Sequence, residues 1–304
     1  SADYTLLEVG LGGEFDATNV VQNPVASIIT PISFDHKEYL GSSIKKIAAA
    51  KAGIIKKNTT TIISNQSPIV KRILDAKCVS NNSNVIWSAE SFTVSSSRKL
   101  IIQKLSKKSI EYPFPNLIGT HQISNAMTAI STLNYLKVPD KHICEGLTST
   151  YWPARLQEIN NGSLYELIKK YNINNKLWID GGHNEDASIQ LSKSVGFMNK
   201  KNLHIIFGCL ENKDHRSFLR NLVGVASSLS VVEIDNQPSS LIKTVAVSSA
   251  KEVGWKKIYS AHSIRDAIKN ICSQNEVLAP QVSILICGSL YLAGQALKEN
   301  GVEI

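Results

Sequence analysis

The chain has 304 residues, of which 43% are hydrophobic and 19% charged, and its formal net charge is +8 at pH 7. This composition is typical of a globular protein of about two domains and excludes an intrinsically disordered chain. No apolar run reaches the roughly 20 residues that a membrane-spanning helix needs, and the first residues do not resemble a secretory signal. We therefore expect a cytoplasmic protein with no role at a membrane.

The use of cysteine and lysine narrows the function classes further. The five cysteines are odd in number and widely spaced, without a C-x-x-C pair, so neither a disulfide framework nor a zinc knuckle is indicated. The lysines are scattered in pairs without interleaved aromatic residues, so nucleic-acid binding is not favoured. A positive field of this kind favours the arrival of a small anion such as a nucleotide or a polycarboxylate. We expect small-molecule substrates.

Strand-like and helix-like segments alternate along the chain, which predicts an α/β fold with largely parallel sheets. The first half contains apolar runs typical of strands and helical patterns between them. The predicted elements are strands at TLLEV (5–9), VASIITPI (25–32) and TTTIISNQ (59–66), helices over 42–53, from Pro68 and from His121, and an antiparallel excursion over 92–112.

The second half repeats the α/β pattern after the turn-rich passage TSTYWPARLQEINNG (148–162), where we place a boundary between domains 1–150 and 151–304. Its predicted strands are KLWID (176–180), LHIIFG (203–208), SVVEID (230–235) and VSILIC (282–287). Ligands bind at the carboxyl ends of strands in open α/β sheets. The strand ends therefore predict the candidate functional positions, which are Glu8, Asp35, His36, Asp180, Gly208, Gly288 and Ser289.

The stretch LLEVGLGGEFDATN (6–19) looks like a dinucleotide-binding turn but fails the G-x-G-x-x-G pattern, because Phe15 stands at its last glycine. No G-x-x-x-x-G-K-[ST] phosphate loop occurs among the 304 residues either. A glutamate at a strand end beside a glycine turn, here Glu8, suits a divalent cation held against phosphate oxygens. Taken alone, such a glutamate is more often structural.

The stretch 6–19 contains the first of eight motifs that occur in order along the chain. Together they resemble the folylpolyglutamate synthase and dihydrofolate synthase family of the Mur ligase superfamily. The motifs are E-V-G-L-G-G-x-x-D-A-T-N (8–19), D-H-x-x-x-L-G (35–41), K-A-G-I (51–54), H-Q-x-x-N-A (121–126), R-L-Q (155–157), D-G-x-H-N (180–184), K-D (213–214) and G-S-x-Y-L-x-G (288–294).

The resemblance implies an incomplete Mur-ligase-type central ATPase domain with a mostly parallel sheet over residues 1–150. A Rossmann-like C-terminal glutamate-ligase domain follows over residues 151–304. The implied activity is an ATP-dependent ligation of L-glutamate to a folate or dihydropteroate carboxylate through an acyl phosphate. The implied cofactors are ATP and two Mg²⁺ ions, and the implied state is a monomer.

The resemblance also assigns candidate metal ligands. Glu8 and His36 are similar to the family's magnesium ligands, and Lys51 is similar to the lysine that becomes a carbamate and bridges to the second ion. A carbamate is an anionic oxygen ligand, whereas an ammonium would be repelled by Mg²⁺. The alternative for Lys51 is a favourable cation near a helix C-terminus.

Four further residues carry over as catalytic or nucleotide-binding candidates. Asn125 resembles the residue that contacts the nucleotide base, with a polar helix face as the alternative. Arg155 resembles an ATP-phosphate ligand, for which a planar bidentate donor is suited, with an interdomain salt bridge as the alternative. Asp180 would position the ribose or nucleotide, and His183 would lie near glutamate and the acyl phosphate. Lys213, Asp214 and Ser289 receive no single role.

The family's phosphate loop precedes the motif that begins here at Glu8. We therefore expect the chain to correspond to an N-terminally truncated, C-terminal two-thirds of a family member, and to be inactive in isolation. Two alternatives stay open: another Mur-type amino-acid ligase, and a non-catalytic remnant or partner-dependent fragment. The sequence does not decide between dihydrofolate synthesis and polyglutamylation.

Overall fold

The structure is a computed structural model that describes residues 2–34, 37–97, 99–104, 109–275 and 281–302. The chain divides into two compact units. Unit 1 comprises Ser1–Asn116 and His121–Thr150, and unit 2 comprises Leu117–Thr120 and Tyr151–Ile304. Within the described ranges, no helix is both long enough and apolar enough to cross a lipid bilayer.

Unit 1 contains a three-stranded parallel sheet in the order β1-β2-β3, with helices between its strands. Its elements are β1 (Ala26–Ile29), the single turn α1 (Lys37–Leu40), α2 (Ile44–Ala52), β2 (Thr60–Ile63), α3 (Pro68–Ser80) and β3 (Asn84–Trp87). The α3 helix starts at Pro68, whose fixed φ suits a first helical turn. The predicted helices over 42–53 and from Pro68 are confirmed.

The predicted strand at TLLEV is wrong. Residues 5–9 are irregular, and the next regular element is a short 3₁₀ helix, Ala17–Val20. A strand exists only where a neighbouring strand takes its backbone hydrogen bonds, and none of the described strands pairs with this segment. Leu6 is 86% exposed, so the run does not enter the core either. Glu8 therefore does not follow a strand.

The antiparallel excursion predicted over 92–112 is confirmed as a three-stranded meander. Its strands and the two helices that follow are β4 (Phe92–Ser95), β5 (Leu100–Lys104), β6 (Ser109–Pro113), α4 (Thr120–Tyr135) and α5 (Asp140–Ser149). Ile101 and Tyr112 of the meander form a core with Ala126 and Ile130 of α4 and Ile143 of α5. The apolar face of α4 thus follows the helical spacing seen in the sequence.

A buried cluster of hydroxyl groups fixes α4 to the carboxyl edge of the parallel sheet. Ser64 directly follows β2 and Ser88 directly follows β3, and both lie beside Thr128 of α4. Thr128 Oγ1 lies 2.7 Å from Ser64 Oγ and 3.0 Å from Ser88 Oγ. The cluster sets where α4 sits on this edge.

Unit 2 is built on a six-stranded sheet in the order β11-β10-β9-β12-β8-β7, parallel except for β7 at one edge. Its strands are β7 (Gln157–Ile159), β8 (Lys176–Ile179), β9 (Leu203–Phe207), β10 (Ser228–Val231), β11 (Ile258–Ser260) and β12 (Ser283–Cys287). Its helices are α6 (Ser163–Lys169), α7 (Glu185–Ser194), α8 (His215–Asn221), α9 (Lys243–Glu252), α10 (Ile264–Asn275) and α11 (Leu290–Glu299).

An apolar core lies on each face of this sheet, and side chains of the central strands alternate between the two cores. Ile206 and Ile284 face one core, whereas Phe207 and Leu285 face the other. This explains why the central strands read as continuous apolar runs in the sequence. The carboxyl ends of β8, β9 and β12 lie at one edge of the sheet, and the α/β prediction is confirmed.

Candidate functional site

In unit 1, the glycine turn of the first motif packs directly on the C-terminal end of α2. The backbone N–H of Glu14 donates to the carbonyl of Ala50 at 2.9 Å. A Cβ on Gly13 would lie 2.9 Å from Ala50 O and 3.1 Å from Lys51 Cα. Only glycine permits this approach. The fold therefore brings the motif that begins at Glu8 to the backbone of Lys51, 43 residues later in the numbering of the chain.

A second contact joins the glycine turn to the residue that follows α2. A Cβ on Gly53 would lie 2.4 Å from Glu14 Cα, so the two segments touch without room for a side chain. Asn19 Nδ2 donates to the carbonyls of Glu14 and Gly53, at 2.9 and 3.3 Å. These contacts thus join the first and third motifs of the sequence next to Lys51.

Asp16 holds the glycine turn in shape. Its carboxylate accepts hydrogen bonds from the Thr18 hydroxyl at 2.6 Å, the Leu11 N–H at 2.8 Å and the Thr18 N–H at 2.9 Å. These bonds favour the charged form, and the Thr18 hydroxyl contributes most to lowering the pKa of Asp16 to about 2. Asp16 is thus a structural anion of the turn.

Two of the three predicted metal ligands, Glu8 and Lys51, lie within the described residues. Glu8 is exposed in the irregular segment before the turn, Lys51 is half-buried in the last turn of α2, and His36 lies outside the described residues. In the described ranges, no three His, Cys, Asp or Glu side chains gather as a metal cluster. By donor type, the Glu8 carboxylate suits Mg²⁺, whereas Lys51 suits it only as a carbamate.

Asn125 projects from the exposed part of α4, in its second turn. Its side-chain amide donates to Gln122 Oε1 at 3.1 Å, and Gln122 is buried. Thr128, in the hydroxyl cluster, lies three residues further along the same helix. The position of Asn125 is thus set by contacts on the same helix.

In unit 2, Arg155 is exposed at the tip of a turn with an unusual backbone. Ala154 and Leu156, on either side, have φ of 56° and 43°, a left-handed conformation that non-glycine residues seldom adopt. Both flanking side chains are buried, at 5% and 3% exposure, which forces the arginine outward. Such a conformation costs on the order of 1 kcal/mol per residue and persists only where surrounding bonds hold it.

Asp180, at the carboxyl end of β8, supplies one of those bonds. Its Oδ2 accepts from the Leu156 N–H at 2.8 Å and its Oδ1 from the Gly182 N–H at 2.8 Å. The Gly181 N–H donates back to Ala154 O at 2.8 Å. One carboxylate therefore ties the Arg155 turn to the D-G-G-H-N turn, and each oxygen keeps a second lone pair for a ligand hydroxyl.

His183 follows in this second turn and is half-buried. Its Nδ1 lies 3.2 Å from Gly181 O, which only accepts, so Nδ1 carries the proton and the lone pair of the neutral ring is on Nε2. Asn184 caps α7 by accepting the Ala187 N–H at 2.9 Å. The α7 helix thus begins two residues after His183.

The last motif meets the same edge. A Cβ on Gly181 would lie 2.4 Å from Leu290 Cδ2, so Leu290 packs against the bare glycine backbone. Ser289 is buried and caps α11, with its hydroxyl accepting the Tyr291 N–H at 3.1 Å. Three motifs, which are spread over residues 155 to 294 of the sequence, converge at the carboxyl end of β8.

The weaker candidates have local structural partners. Asp214 caps α8 by accepting the Ser217 N–H at 3.1 Å, and Lys213 O lies near His215 Nδ1. Gln157 was given no role by the sequence, yet its side chain accepts the Ala154 N–H at 2.9 Å. Only its place in the R-L-Q motif, two residues after Arg155, hinted at this bond.

Both halves of the chain are similar to known proteins. The family model for the Mur ligase middle domain matches residues 1–133, and that for the dihydrofolate synthetase C-terminal domain matches residues 163–299. A folylpolyglutamate synthase of Lacticaseibacillus casei is 27% identical over 96% of this chain and 65% of its own length. A dihydrofolate synthase/folylpolyglutamate synthase of Bacillus subtilis is 28% identical over 97% and 67%.

Solved structures agree with the sequence matches. The folylpolyglutamate synthase of Mycobacterium tuberculosis, solved with ADP and AMPPCP, superposes with a TM-score of 0.80 at 27% identity, over 97% of this chain and 68% of that one. The chain spans about two thirds of the length of the relatives it matches. Two family domains in this order, supported by relatives matched over almost the whole chain, show that it belongs to the folylpolyglutamate synthase and dihydrofolate synthase family of the Mur ligase superfamily.

Proposed function

We propose that the chain supplies the middle and C-terminal domains of an ATP-dependent ligase that joins L-glutamate to a folate or dihydropteroate carboxylate. The observation that carries the proposal is the meeting of three motifs at the carboxyl end of β8, where Asp180 binds the Arg155 turn and Gly181 contacts Leu290. Open parallel sheets bind their ligands at this edge. The names of the matched relatives support the substrate class.

The proposed reaction has two steps. A carboxylate oxygen of the folate or dihydropteroate attacks the γ-phosphorus of ATP, the bond to the β-phosphate oxygen breaks, and ADP leaves. The amine nitrogen of glutamate then attacks the acyl carbon, phosphate leaves, and the nitrogen gives up a proton as the amide forms. Both steps develop negative charge that positioned cationic groups and hydrogen-bond donors stabilise.

Arg155 and His183 are the proposed catalytic residues of unit 2. The Arg155 guanidinium is exposed and permanently charged, and its planar donors match two phosphate oxygens. His183 is assigned to the glutamate and acyl-phosphate end. Its Nδ1–H donates to Gly181 O, so the orientation of the ring is fixed within the D-G-G-H-N turn. Asp180 and Asn125 are proposed to contact the ribose and the base of the nucleotide.

Glu8, His36 and Lys51 are the proposed magnesium ligands, with Lys51 as a carbamate. When bound, the ions neutralise charge on the phosphate oxygens. What this chain's own residues contribute is placement: the contacts of Gly13 and Gly53 hold the two motifs together at Lys51. The carbamate has a direct test, a ¹³C resonance acquired from labelled bicarbonate that the Lys51→Ala variant lacks.

The test uses the natural polypeptide that carries these residues, expressed from its own gene. We expect ATP- and Mg²⁺-dependent incorporation of labelled glutamate into a folate or a dihydropteroate, and those two acceptors compared separately decide the specificity. Incorporation only with a different amino acid or a different carboxylate acceptor would establish another Mur-type ligase instead. No incorporation with any of them would contradict the proposal. The 304-residue chain assayed in parallel tests the expectation that it is inactive alone.

Lys51→Ala gives a chemical prediction. We expect the substitution to lower kcat by at least about 100-fold, because a metal-bridging anion is lost, while the fold is unchanged. Steady-state kinetics and circular dichroism measure the two quantities. Lys46→Ala, which alters an exposed lysine of the same helix, is the control and keeps its activity. Unchanged turnover in Lys51→Ala would remove Lys51 from the metal site.

The monomeric state and the cytoplasmic location expected from the sequence stay predictions. Size-exclusion chromatography with light scattering tests the first.

A further inference from the structure

We propose that Gln157 is a positioning residue for Arg155: its side-chain amide clamps the left-handed turn that presents the guanidinium to the nucleotide phosphate. The inference rests on the proposed function of Arg155 and adds to it a residue whose side chain contacts the turn rather than a ligand. It starts from the conformational strain at Ala154 and Leu156.

The turn has three described attachments, and each goes to a flanking residue. Asp180 accepts the Leu156 N–H at 2.8 Å, and the Ala154 carbonyl accepts the Gly181 N–H at 2.8 Å. The Ala154 N–H donates to Gln157 Oε1 at 2.9 Å. Gln157 thus completes the fixation of Ala154, which has one backbone group held by the strand end and the other by the amide.

Gln157 is itself well placed to act as a clamp. It is the first residue of β7, where it pairs in register with Ile179 of β8, immediately before Asp180. Its Nε2 donates to the Tyr151 hydroxyl at 2.8 Å, which fixes the orientation of the amide and directs Oε1 to Ala154. The residue is therefore held both at its backbone and at the tip of its side chain.

Without the Oε1 acceptor, the Ala154 N–H loses its partner and the strained φ loses part of what holds it. The turn then relaxes to other conformations, and the guanidinium leaves the position in which it meets phosphate. Misplacement of a binding group by about 1 Å costs up to about 100-fold in rate. The loss should concern ATP, because Arg155 is the residue displaced.

The experiment uses Gln157→Leu, which keeps the size of the side chain and removes the amide, in the natural polypeptide. We expect kcat/KM for ATP to fall by about 10- to 100-fold, with KM for the acceptor and for glutamate unchanged within about two-fold. General unfolding would lower kcat for all substrates and leave every KM unchanged. Gln157→Glu retains the Oε1 acceptor and should restore most of the activity. Glu158→Gln, which removes a neighbouring ion pair to Lys176, should behave as wild type.

A double-mutant cycle identifies the route of the effect. In the Arg155→Ala background, Gln157→Leu should cause no further loss beyond about two-fold, because the residue through which it acts is absent. An equal further loss in that background would overturn the proposal, as would wild-type kinetics in Gln157→Leu while Arg155→Ala is impaired. Both of those results leave the proposed function standing. Wild-type kinetics in Arg155→Ala would instead contradict the proposed function of Arg155, and the positioning role with it.

Two further measurements keep the test decisive. Should Gln157→Leu not fold, Gln157→Asn replaces it, because its amide is shorter by one carbon and does not reach the Ala154 N–H. The same loss is then expected, and full activity would overturn the proposal. Amide hydrogen exchange reports the clamp without turnover: the Ala154 N–H should exchange at least about ten-fold faster in the leucine variant and not in the glutamate variant.

Discussion

Gly13 and Gly53 lie where the first motif meets the end of α2, and neither position has room for a side chain. The φ of Gly53 is −61°, which any residue adopts, so the need for glycine there is purely steric. A Cβ would lie 2.4 Å from Glu14 Cα and 2.9 Å from Glu14 N, both backbone atoms that do not rotate away. At this position the sequence motif is explained by contact between two stretches of backbone.

Gly53→Ala should therefore lower the free energy of unfolding by about 1–3 kcal/mol, because the two stretches must move apart. Denaturant unfolding measures the change. The control is Gly146→Ala in α5, where a Cβ meets nothing within 4 Å and alanine should raise helix stability by about 0.5–1 kcal/mol. Equal effects of the two substitutions would show that the contact with Glu14 is not restrictive.

His204, in the central strand β9, is 4% exposed, and its Nδ1 lies 2.7 Å from Ser228 Oγ. Within the described part of the chain, its Nε2 is buried without a hydrogen-bond partner. Burial, and secondarily the charge of Lys257, lower the pKa of His204 from 6.5 to about 4. The folded protein therefore keeps this ring neutral well into the acidic range.

The free energy of unfolding should therefore fall as the pH decreases below about 6.5. Between the unfolded pKa of about 6.5 and the folded pKa of about 4, the unfolded state binds a proton that the folded state does not. The stability that the folded protein gains by keeping this ring neutral is fully present above about pH 6.5. It falls as the pH drops to about 4, by at most about 3 kcal/mol in the free energy of unfolding. Urea unfolding at about pH 7 and about pH 4.5 should show a smaller loss in His204→Asn than in wild type. Identical losses would contradict the prediction.

At the scale of elements, apolar periodicity predicted most strands and helices because each buries one face or both. The element that failed, TLLEV, has the composition of a strand, but a strand depends on a neighbour that periodicity does not report. The left-handed turn around Arg155 could not be predicted from the sequence either, because Ala154 and Leu156 are not residues that signal positive φ. The bond from Asp180 to Leu156 joins residues 24 apart, which local sequence does not reveal.

The attachment of α4 to the sheet gives a prediction at this scale. Thr128→Val keeps the shape of the side chain but removes the hydroxyl shared by Ser64 and Ser88, leaving two buried groups poorly satisfied. We expect a loss of about 1–3 kcal/mol in the free energy of unfolding. Thr148→Val, in α5, removes an exposed hydroxyl bonded to Cys144 O and should change stability by less than about 0.5 kcal/mol. A similar small change at Thr128 would mean that the cluster does not stabilise α4.

At the scale of the whole molecule, each described apolar cluster lies within a single unit. Both clusters around the six-stranded sheet consist of residues from 154 to 297, and the two clusters of unit 1 of residues from 29 to 147. The motif order predicted two successive family domains, and the two family models match them in that order. What the sequence did not supply is which side chains hold the candidate residues in place.

Residues 151–304 should consequently fold without the preceding part of the chain. We expect the separate polypeptide to unfold in one cooperative transition with a near-ultraviolet signal from its buried Trp178 and Trp255. Calorimetry and circular dichroism provide the measurement. Limited proteolysis with chymotrypsin offers a second one, because Tyr151, the first residue of this part, is 62% exposed and cleavage after it should release a stable fragment that begins at Trp152. A polypeptide with secondary structure but no cooperative transition would contradict the independence of unit 2.

The left-handed turn around Arg155 has a thermodynamic consequence for recognition. A flexible arginine loop becomes ordered when its ligand arrives, at about 1–2 kcal/mol of backbone entropy per residue. Here Asp180, Gln157 and Gly181 order the backbone during folding, so that loss would not reduce the affinity for phosphate that we propose for Arg155. Ala154→Gly would keep the three hydrogen bonds of the turn and restore the freedom, with the loss of one buried methyl group. Its nucleotide binding should show a less favourable entropy with a similar enthalpy, the calorimetric signature of a preorganised loop that has been loosened.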